Sequence, residues 1–420
     1  MFSRNVLVIA YYFPPMGLSG VQRTVKFVKY LPYFGWNPIV LTSSSNKYFA
    51  FDETLLDDFN DKSIQIFRTK PKKNKKTNFK VQKFPNYTLQ KIGRIITQSI
   101  YQPDRFITWK KSAVELGEKI IQKNKIDAIF ATAPPFTDFL VAQELSDKYK
   151  IPFLIDYRDV WVDNPFHYYL TPFHKSYSIK LEENLLKKTS KAIVTNRFSK
   201  EIILKRYRFI SHDDIVIIPH GYDPDDFEGI EFNHNPDFFT ITHSGLFQDD
   251  RNPKYFLKAI NQFIKKNPFA IDRLRLRFIG LMRNSHQKLL KKYNLLKITT
   301  LTGNLNHKEA VRHLLESDLL WLVVNDIYRS PGKLFEYFGA SKPILICAPE
   351  GIMRKIALES KAAIGVDPKD VNEIEKAITT FYNLWSKKTL PVPAPEFVEQ
   401  FNRKKLTQDL AKELTLISEL

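Results

Sequence analysis

The 420-residue sequence contains a single cysteine, Cys347. One thiol can form neither a disulfide framework nor a cysteine-ligated metal cluster. No apolar run approaches the roughly 20 residues that a membrane-spanning helix needs. The apolar run near the N-terminus, Val6 to Ala10, is also too short for the hydrophobic region of a signal peptide. We therefore expect a cytoplasmic protein without a membrane span.

Acidic residues are in deficit, because 45 of them face 64 basic residues and leave a formal net charge of +19. Residues 68–94, here called the basic stretch, contain no acid and interleave lysines with aromatic residues. Such a stretch can lie on the anionic inner face of the cytoplasmic membrane, or it can be a solvated loop. No recognised nucleic-acid-binding module accompanies the charge, so we do not expect nucleic acid as a partner.

Short apolar runs alternate with helical patterns along the whole chain, which predicts an α/β protein with parallel sheets. The length exceeds one ordinary core and indicates two domains. The predicted ranges are a first domain over 1–223, a linker rich in Asp, Pro and Asn over 224–237, a second domain over 238–390, and a connector with a C-terminal helix over 391–420. The predicted helices include 110–123, 181–190, 371–385 and 397–417, and the predicted strands include 299–303 and 363–366.

A segment near residue 330 combines a Pro331-Gly332 turn with a helix predicted to open at Lys333 and Leu334. A helix N-terminus offers backbone N–H groups and a partial positive charge, which suit a phosphate. Glu336, predicted to lie in the first turn, could accept hydrogen bonds from ribose hydroxyls. It could equally complement the dipole of a capped surface helix. Both interpretations stay open on these residues alone.

The run from Lys333 to Tyr337, followed by Gly339 to Leu345, resembles the nucleotide-sugar site of family 4 retaining glycosyltransferases. The resemblance implies the GT-B fold, in which two Rossmann-like domains face each other across a cleft and the C-terminal helix crosses back to the first domain. It also implies that the helix N-terminus at Lys333 and Leu334 holds the donor diphosphate, and that Glu336 binds the ribose. The family often has a second Glu eight positions earlier, where this chain has Tyr328.

Further loops resemble the donor side of the same family. Gly17 and Gly20 precede a helix without the G-x-G-x-x-G spacing of a dinucleotide fingerprint, so they predict only a close approach of the backbone. In the family this first loop borders the donor phosphates. Gly245 and Arg251 match the loop whose Arg neutralises the departing diphosphate, although Arg251 could also be a solvent-facing charge. Gly303 ends a predicted strand and is expected to lie above the nucleotide.

The acceptor side is predicted at Asp156-Tyr157-Arg158-Asp159-Val160-Trp161, at the end of a buried strand. Charges at such a place are costly unless they are paired or functional. Arg158 could therefore pair with a carboxylate, or Arg158 and Asp159 could bind an acceptor, with Asp159 as a candidate base. Similar loops occur in bacterial relatives that build surface polysaccharides. His220 lies in a turn that resembles the family's domain junction and is predicted to face the acceptor, not a metal, because no second ligand lies at zinc spacing.

The resemblance implies a glycosyltransferase that moves a sugar from a nucleotide-sugar donor to a glycan or lipid-linked acceptor with retention, in synthesis of a bacterial surface polysaccharide such as lipopolysaccharide or capsule. We expect no metal and no cofactor, because Arg251, Lys333 and a helix N-terminus can stabilise the leaving diphosphate. Two alternatives remain. One is a non-catalytic nucleotide-sugar-binding protein, favoured by Tyr328; the other is a nucleotide-sugar epimerase, which shares the fold.

Overall fold

The computed structural model describes residues 4–17, 19–44, 47–48, 51–59, 64–70, 80–81, 87–247 and 251–419. The chain divides into a first unit, Met1–Pro219 with Arg403–Leu420, and a second unit, His220–Asn402. Most lysines of the basic stretch, including Lys72, Lys73, Lys75 and Lys76, lie outside the described residues. Within the described ranges, no helix has the length and apolar character needed to cross a bilayer.

The first unit is built on a seven-stranded parallel sheet with the strand order β4-β2-β1-β6-β7-β8-β9, and β3 pairs separately with β5. Its strands are β1 (Arg4–Ile9), β2 (Trp36–Thr42), β3 (Lys47–Tyr48), β4 (Gln65–Arg68), β5 (Lys80–Val81), β6 (Ala128–Ala133), β7 (Phe153–Tyr157), β8 (Lys191–Val194) and β9 (Ile215–Ile217). Its helices before the second unit are α1 (Ser19–Tyr30), α2 (Tyr87–Ile100), α3 (Lys110–Lys123), α4 (Thr137–Tyr149), α5 (Pro172–Leu186) and α6 (Arg197–Arg206).

The second unit is built on a six-stranded parallel sheet with the order β12-β11-β10-β13-β14-β15. Its strands are β10 (Phe239–Ser244), β11 (Leu274–Ile279), β12 (Thr299–Gly303), β13 (Leu319–Val323), β14 (Ile344–Cys347) and β15 (Ala363–Val366). Its helices are α7 (Lys254–Lys266), α8 (Ala270–Arg273), α9 (Asn284–Lys292), α10 (His307–Leu315), α11 (Gly332–Gly339), α12 (Ile352–Glu359), α13 (Val371–Ser386) and α14 (Pro395–Val398).

The central strands of both sheets are buried, because helices cover both faces of a parallel sheet. Every residue of β6, β7, β10, β13 and β14 is buried. Neighbouring parallel strands end at one edge of each sheet, where the loops collect, and this edge is where open α/β sheets bind their ligands. The predicted class, two Rossmann-like α/β domains, is confirmed.

The last helix, α15 (Arg403–Ser418), belongs to the first unit. Its residues Leu406, Leu410, Leu414 and Ile417 join the core cluster that contains Val21 and Val25 of α1. The predicted packing of the C-terminal helix on the first domain is therefore confirmed. The single helix predicted over 397–417 is wrong, because the chain is extended at Asn402, where the backbone pairs with Tyr222.

The division between the units falls four residues before the predicted end of the first domain at 223. The backbone N–H of Tyr222 donates to the carbonyl of Phe401 at 3.0 Å, which joins residues 220–223 to the second unit. The predicted connector over 391–420 is itself divided, because its residues up to Asn402 cluster with the second unit.

Candidate active site

Three glycines bring together the loops at the carboxyl ends of β10, β11 and β12. Gly245, Gly280 and Gly303 have φ values of 143°, 116° and 69°, which side-chain-bearing residues rarely adopt. The N–H of Gly245 donates to the Ile279 carbonyl at 2.9 Å, and the N–H of Gly280 donates to the Gly303 carbonyl at 2.8 Å. The structure thus unites the predicted residues Gly245 and Gly303. Gly280 was missed, although its place directly after an apolar strand was the signal that could have found it.

Helix α11 supplies the predicted phosphate-binding N-terminus. It begins at Gly332 behind Pro331, and no side chain caps it. The N–H of Leu334 donates to the Pro331 carbonyl at 3.1 Å, so this predicted donor is already engaged within the turn. The N–H groups of Gly332 and Lys333 belong to the same first turn, where the helix dipole favours an anion.

Glu336 is the fifth residue of α11, so its predicted place in the first turn is wrong. Its side chain is buried, and the ammonium of Lys333 contacts its Oε2 at 2.5 Å. The interpretation of Glu336 as an exposed carboxylate that only complements the dipole of a surface helix is therefore wrong. A buried carboxylate needs a cation or hydrogen-bond donors, and Lys333 meets that need from one turn earlier.

Arg251 is half-buried, three residues ahead of α7. The charges of Arg251 and Lys333 both act on the ring of His243, at the end of β10. Burial, together with the positive charges of Arg251 and Lys333, lowers the pKa of His243 to about 4, against the opposing effect of its hydrogen bond to Trp321. Two cations that were predicted from loops 82 residues apart therefore act on the same buried imidazole.

His243 itself was missed by sequence reasoning. Its Nδ1 lies 3.0 Å from the carbonyl of Trp321, and its ring stacks on Phe247 at 4.5 Å. Because a carbonyl only accepts, Nδ1 carries the proton, and Nε2 of the neutral ring is an acceptor. Nε2 is buried and has no hydrogen-bond partner among the described residues.

Tyr337 of α11 ties the loop after β10 to the helix. Its hydroxyl accepts from the N–H of Ser244 at 2.8 Å and donates to the Trp321 carbonyl at 3.2 Å. Trp321 of β13 thus receives hydrogen bonds from both Tyr337 and His243. The start of the Gly245 loop and the start of α11 are held in one framework.

The loop that leads into α11 is ordered by Asp326. Its Oδ1 accepts from the N–H groups of Tyr328 and Arg329, and its Oδ2 accepts from Nε of Arg329 at 2.8 Å. Tyr328, which stands where the family often has a Glu, therefore lies in an Asx turn. Ser330 follows, 7% exposed, and its Oγ has no partner among the described residues. A buried hydroxyl directly ahead of Pro331 is a further candidate donor to an anion.

His307 and His220 lie in the second unit as well. Nε2 of His307 contacts Oδ2 of Asp226 at 2.9 Å. Burial lowers the pKa of His307, but Asp226 and then Glu336 outweigh that effect, and the pKa lies above its ordinary value. His220, predicted for the acceptor side, is buried with its ring 6.3 Å from that of Phe335 in α11.

In the first unit, two charged residues of the predicted acceptor loop, Asp156 and Arg158, make buried contacts within the protein. The guanidinium of Arg23 in α1 forms a fully buried ion pair with Asp156, with Nη2 at 2.8 Å from Oδ1. Arg158 donates to the backbone carbonyls of Gly20, Ala133 and Pro134. The buried ion pair that was one alternative for Arg158 is formed instead by Asp156, two residues earlier.

Two further residues of the predicted acceptor loop, Trp161 and Asp159, differ in burial. Trp161 is fully buried and stacks on Phe136 at 4.9 Å. Asp159 is half-buried in the bend after β7. It remains the predicted acceptor-side carboxylate.

The predicted close approach of the first loop is present at Gly20. A Cβ on Gly20 would lie 3.4 Å from Nη1 of Arg158, in contact with that guanidinium. Gly17 is buried ahead of α1. Nearby, Asp138 of α4 was missed: Oδ2 accepts from the Tyr11 N–H at 2.8 Å, while burial raises the pKa of this carboxyl well above its usual range.

Comparison with known proteins identifies the class to which this fold and site belong. Residues 20–226 match the family model Glycosyltransferase Family 4, and residues 226–390 match Glycosyl transferases group 1. The chain is an enzyme of the glycosyltransferase class with the GT-B fold. It belongs to the family 4-type glycosyltransferases, and the resemblance read from the sequence is confirmed.

Solved structures support the same fold. Sucrose-phosphate synthase from Thermosynechococcus elongatus is similar with a TM-score of 0.65 and 14% identity, over 97% of this chain and 98% of that one. A glycosyltransferase from Rickettsia africae has a TM-score of 0.64 and 15% identity, over 99% of both chains. Anabaena HepE in complex with UDP-glucose has a TM-score of 0.65 and 13% identity, over 98% of this chain and 99% of that one. No curated protein sequence matches the chain.

Proposed function

We propose that the enzyme transfers a sugar from a UDP-sugar to a glycan or lipid-linked acceptor, with retention of anomeric configuration. The observation that carries the proposal is the cluster in the second unit, where Lys333 pairs with the buried Glu336 and acts with Arg251 on His243. Such a cluster suits a nucleoside diphosphate, which brings negative charge and ribose hydroxyls together. UDP is the first choice of nucleotide because HepE, with the same fold, binds UDP-glucose.

In the proposed reaction the bond between C1 of the sugar and the diphosphate oxygen breaks, and C1 bonds to an acceptor oxygen. The acceptor hydroxyl passes its proton to Asp159 or to an oxygen of the departing diphosphate, on which negative charge develops. Arg251, Lys333 and the first turn of α11 stabilise that charge, with Ser330 as an additional donor. We expect turnover without a divalent metal, because these groups can stabilise the negative charge that a metal ion would otherwise stabilise.

The Lys333 contact uses one oxygen of Glu336, Oε2. We propose that the ribose hydroxyls donate to Oε1. On the acceptor side, we assign Asp159 to the acceptor hydroxyls, either as a hydrogen-bond acceptor or as the base. Arg158 and His220 remain the other predicted acceptor residues, and Arg158 positions the Gly20 loop through its backbone contacts. A bacterial surface polysaccharide as product rests on the likeness of the 156–161 loop to loops of enzymes that build such glycans.

The donor site is tested by thermal denaturation with UDP-, GDP-, ADP- and CMP-sugars, comparing wild type with Glu336→Gln. UDP-sugars should raise the Tm of the wild type, and the shift should disappear in Glu336→Gln because the ribose loses its carboxylate. Glu359→Gln, an exposed glutamate in α12, is the matched control. An equal shift in wild type and Glu336→Gln would remove Glu336 from the site.

Catalysis is tested by release of nucleoside diphosphate in Arg251→Gln. We expect kcat/KM to fall by roughly 10²–10³, the typical cost of losing one stabilising donor, with the Tm nearly unchanged. Arg312→Gln, an exposed arginine of the same unit, should retain activity, and added EDTA should change neither protein. Donor binding with no release in the wild type would instead favour a non-catalytic binding protein, and an isomerised donor sugar would favour an epimerase.

A further inference from the structure

Two neighbouring segments of the first unit expose large apolar side chains. On and just after α2 these are Ile96, Ile100 and Tyr101, which are 53%, 67% and 37% exposed. On and just before α5 they are Leu170, Phe173 and Tyr177, at 64%, 85% and 53%. We call these six residues the α2–α5 surface. Isolated exposed apolar residues are ordinary, but six on adjoining segments mark an interaction site.

Hydrogen bonds show that the two segments adjoin. The N–H of Tyr168 donates to Oε1 of Gln98 in α2 at 2.9 Å, and Oγ of Ser178 in α5 donates to Oε1 of Gln102 at 2.5 Å. The guanidinium of Arg94 lies 6.0 Å from the Tyr168 ring. These contacts anchor one side of each helix and fix its orientation.

The apolar residues lie on the opposite sides of those helices. Ile96 and Ile100 are four residues apart, and both lie about half a turn away from the anchoring Gln98. Phe173, Tyr177 and Lys180 follow the same spacing on α5, away from the buried face that carries Ser178 and Glu182. On each helix the exposed apolar residues thus share the outer side.

The charge of these segments is of one sign. No acidic residue occurs from Lys62 to Pro103 or from Asn164 to Leu181. Lys175 and Lys180 are exposed basic residues of α5, and Lys180 shares the side of Phe173 and Tyr177. Basic side chains beside exposed aromatic and aliphatic ones match the anionic headgroups and the acyl boundary of a bilayer. A second copy of this chain would oppose one basic face to another, which like charges disfavour.

We infer that the α2–α5 surface docks the first unit on an anionic lipid bilayer, with Ile100, Leu170 and Phe173 entering the headgroup region. This inference stands on exposure and charge and does not need the proposed transfer reaction. If that reaction is correct, the surface would present the enzyme to an acceptor carried on a lipid.

The test is flotation of the full chain with phosphatidylcholine vesicles, with and without phosphatidylglycerol, at physiological ionic strength. Wild type should float only with the anionic vesicles, and Leu170→Gln/Ile100→Gln/Phe173→Gln should lose roughly tenfold or more of that partitioning. The matched control changes three exposed apolar residues of the second unit, Phe269, Leu296 and Leu358, to Gln and should float like wild type. Because all six positions are exposed, neither variant should lose stability.

Two further measurements distinguish the contribution of the lysine charges to vesicle binding from the insertion of apolar side chains into the bilayer. Lys175→Gln/Lys180→Gln should weaken vesicle binding more than the exposed pair Lys265→Gln/Lys376→Gln does. In Phe173→Trp, the additional indole emission should shift to the blue with anionic vesicles, whereas that of Phe269→Trp should not.

Three results would overturn the inference: no flotation of the wild type, equal flotation of wild type and the triple variant, or a dimer in light scattering that the triple variant alone abolishes. Release of nucleoside diphosphate without vesicles should be the same in the triple variant and the wild type. The docking surface and the proposed reaction can therefore fail independently.

Discussion

A single imidazole reports on the electrostatics of the second unit. His243 is 5% exposed, carries its proton on Nδ1 toward the Trp321 carbonyl, and is acted on by the charges of Arg251 and Lys333. An added proton at Nε2 would be buried beside those two cations. The folded protein therefore resists protonation of His243, while the unfolded chain does not.

This resistance predicts a specific dependence of stability on pH. The pKa of His243 is about 4 in the folded protein, against 6.5 for an unperturbed histidine. Between these values the unfolded state binds more protons, so the free energy of unfolding falls as the pH drops from 6.5 toward 4. At pH 5 the loss from this group should be about 2 kcal/mol, and above pH 7 it should be absent.

The measurement is urea unfolding of wild type and His243→Gln from pH 7.5 to 5. The stability of the wild type relative to the variant should decline as the pH falls, whatever constant offset the lost hydrogen bond adds. His212→Gln removes an exposed histidine and should follow the wild type throughout. Parallel curves for wild type and His243→Gln would show that this ring is not protected from protons.

At the scale of elements, the packed strand-end glycines decide how closely the loops of the second unit approach one another. A Cβ on Gly280 would lie 2.6 Å from the carbonyl oxygen of Gly245, where real Cβ atoms essentially never lie. The obstacle is backbone, which cannot swing aside as a flexible side chain would. The φ of 116° at Gly280 adds strain for any other residue.

Gly280→Ala should therefore lower the free energy of unfolding by roughly 2–5 kcal/mol and weaken donor binding, because it displaces the Gly245 loop. Gly229→Ala is the matched control: its φ of 65° is also positive, but a Cβ there meets nothing within 4 Å. It should cost only about 1–2 kcal/mol, the strain of the left-handed backbone alone. Equal losses in urea titrations would mean that the close approach at Gly280 does not matter.

Local patterns predicted many elements, and apolar periodicity alone explains where one helix was misplaced. The bounds of α3, β12 and β15 match the predicted 110–123, 299–303 and 363–366, because each is a short periodic segment with clear ends. The helix predicted over 181–190 instead spans Pro172–Leu186, since its start is set by Pro172 at the first helical position. An apolar periodicity does not reveal that start.

The candidate site shows the same limit more sharply. Lys333 and Glu336 are three residues apart in one motif, and their pairing lies within reach of sequence reasoning. Arg23 and Asp156 lie 133 residues apart, and His307 and Asp226 lie 81 apart. Such ion pairs come from the order of strands in a sheet, which places distant loops side by side. No spacing in the sequence predicts them.

At the scale of the whole molecule, the first unit is made from both ends of the chain. Helix α15 contributes Leu406, Leu410 and Leu414 to the same core as α1, after the complete second unit has intervened. The apolar face of α15 alternates with exposed positions such as Leu416. The stability of the first unit should thus depend on residues nearly two hundred positions beyond Pro219.

Leu410→Ala tests this dependence, because Leu410 is fully buried in that core. The free energy of unfolding should fall by about 2–5 kcal/mol, the usual cost of a cavity left by leucine. Leu416→Ala, in the same helix but 51% exposed, should change it by less than about 0.5 kcal/mol. Equal effects in urea unfolding would show that α15 does not stabilise the first unit through its apolar face.

The return of α15 has a consequence for synthesis on the ribosome. Residues 220–402 must be translated before the first residue of α15 exists. At typical rates of about 5–20 residues per second, that interval is roughly 10–40 s. Throughout it the apolar residues of α1 that pack against α15 are uncovered in the nascent first unit, and chaperones bind such surfaces. The second unit, whose residues are contiguous, can finish folding first, so the order of completion is the reverse of the order of translation.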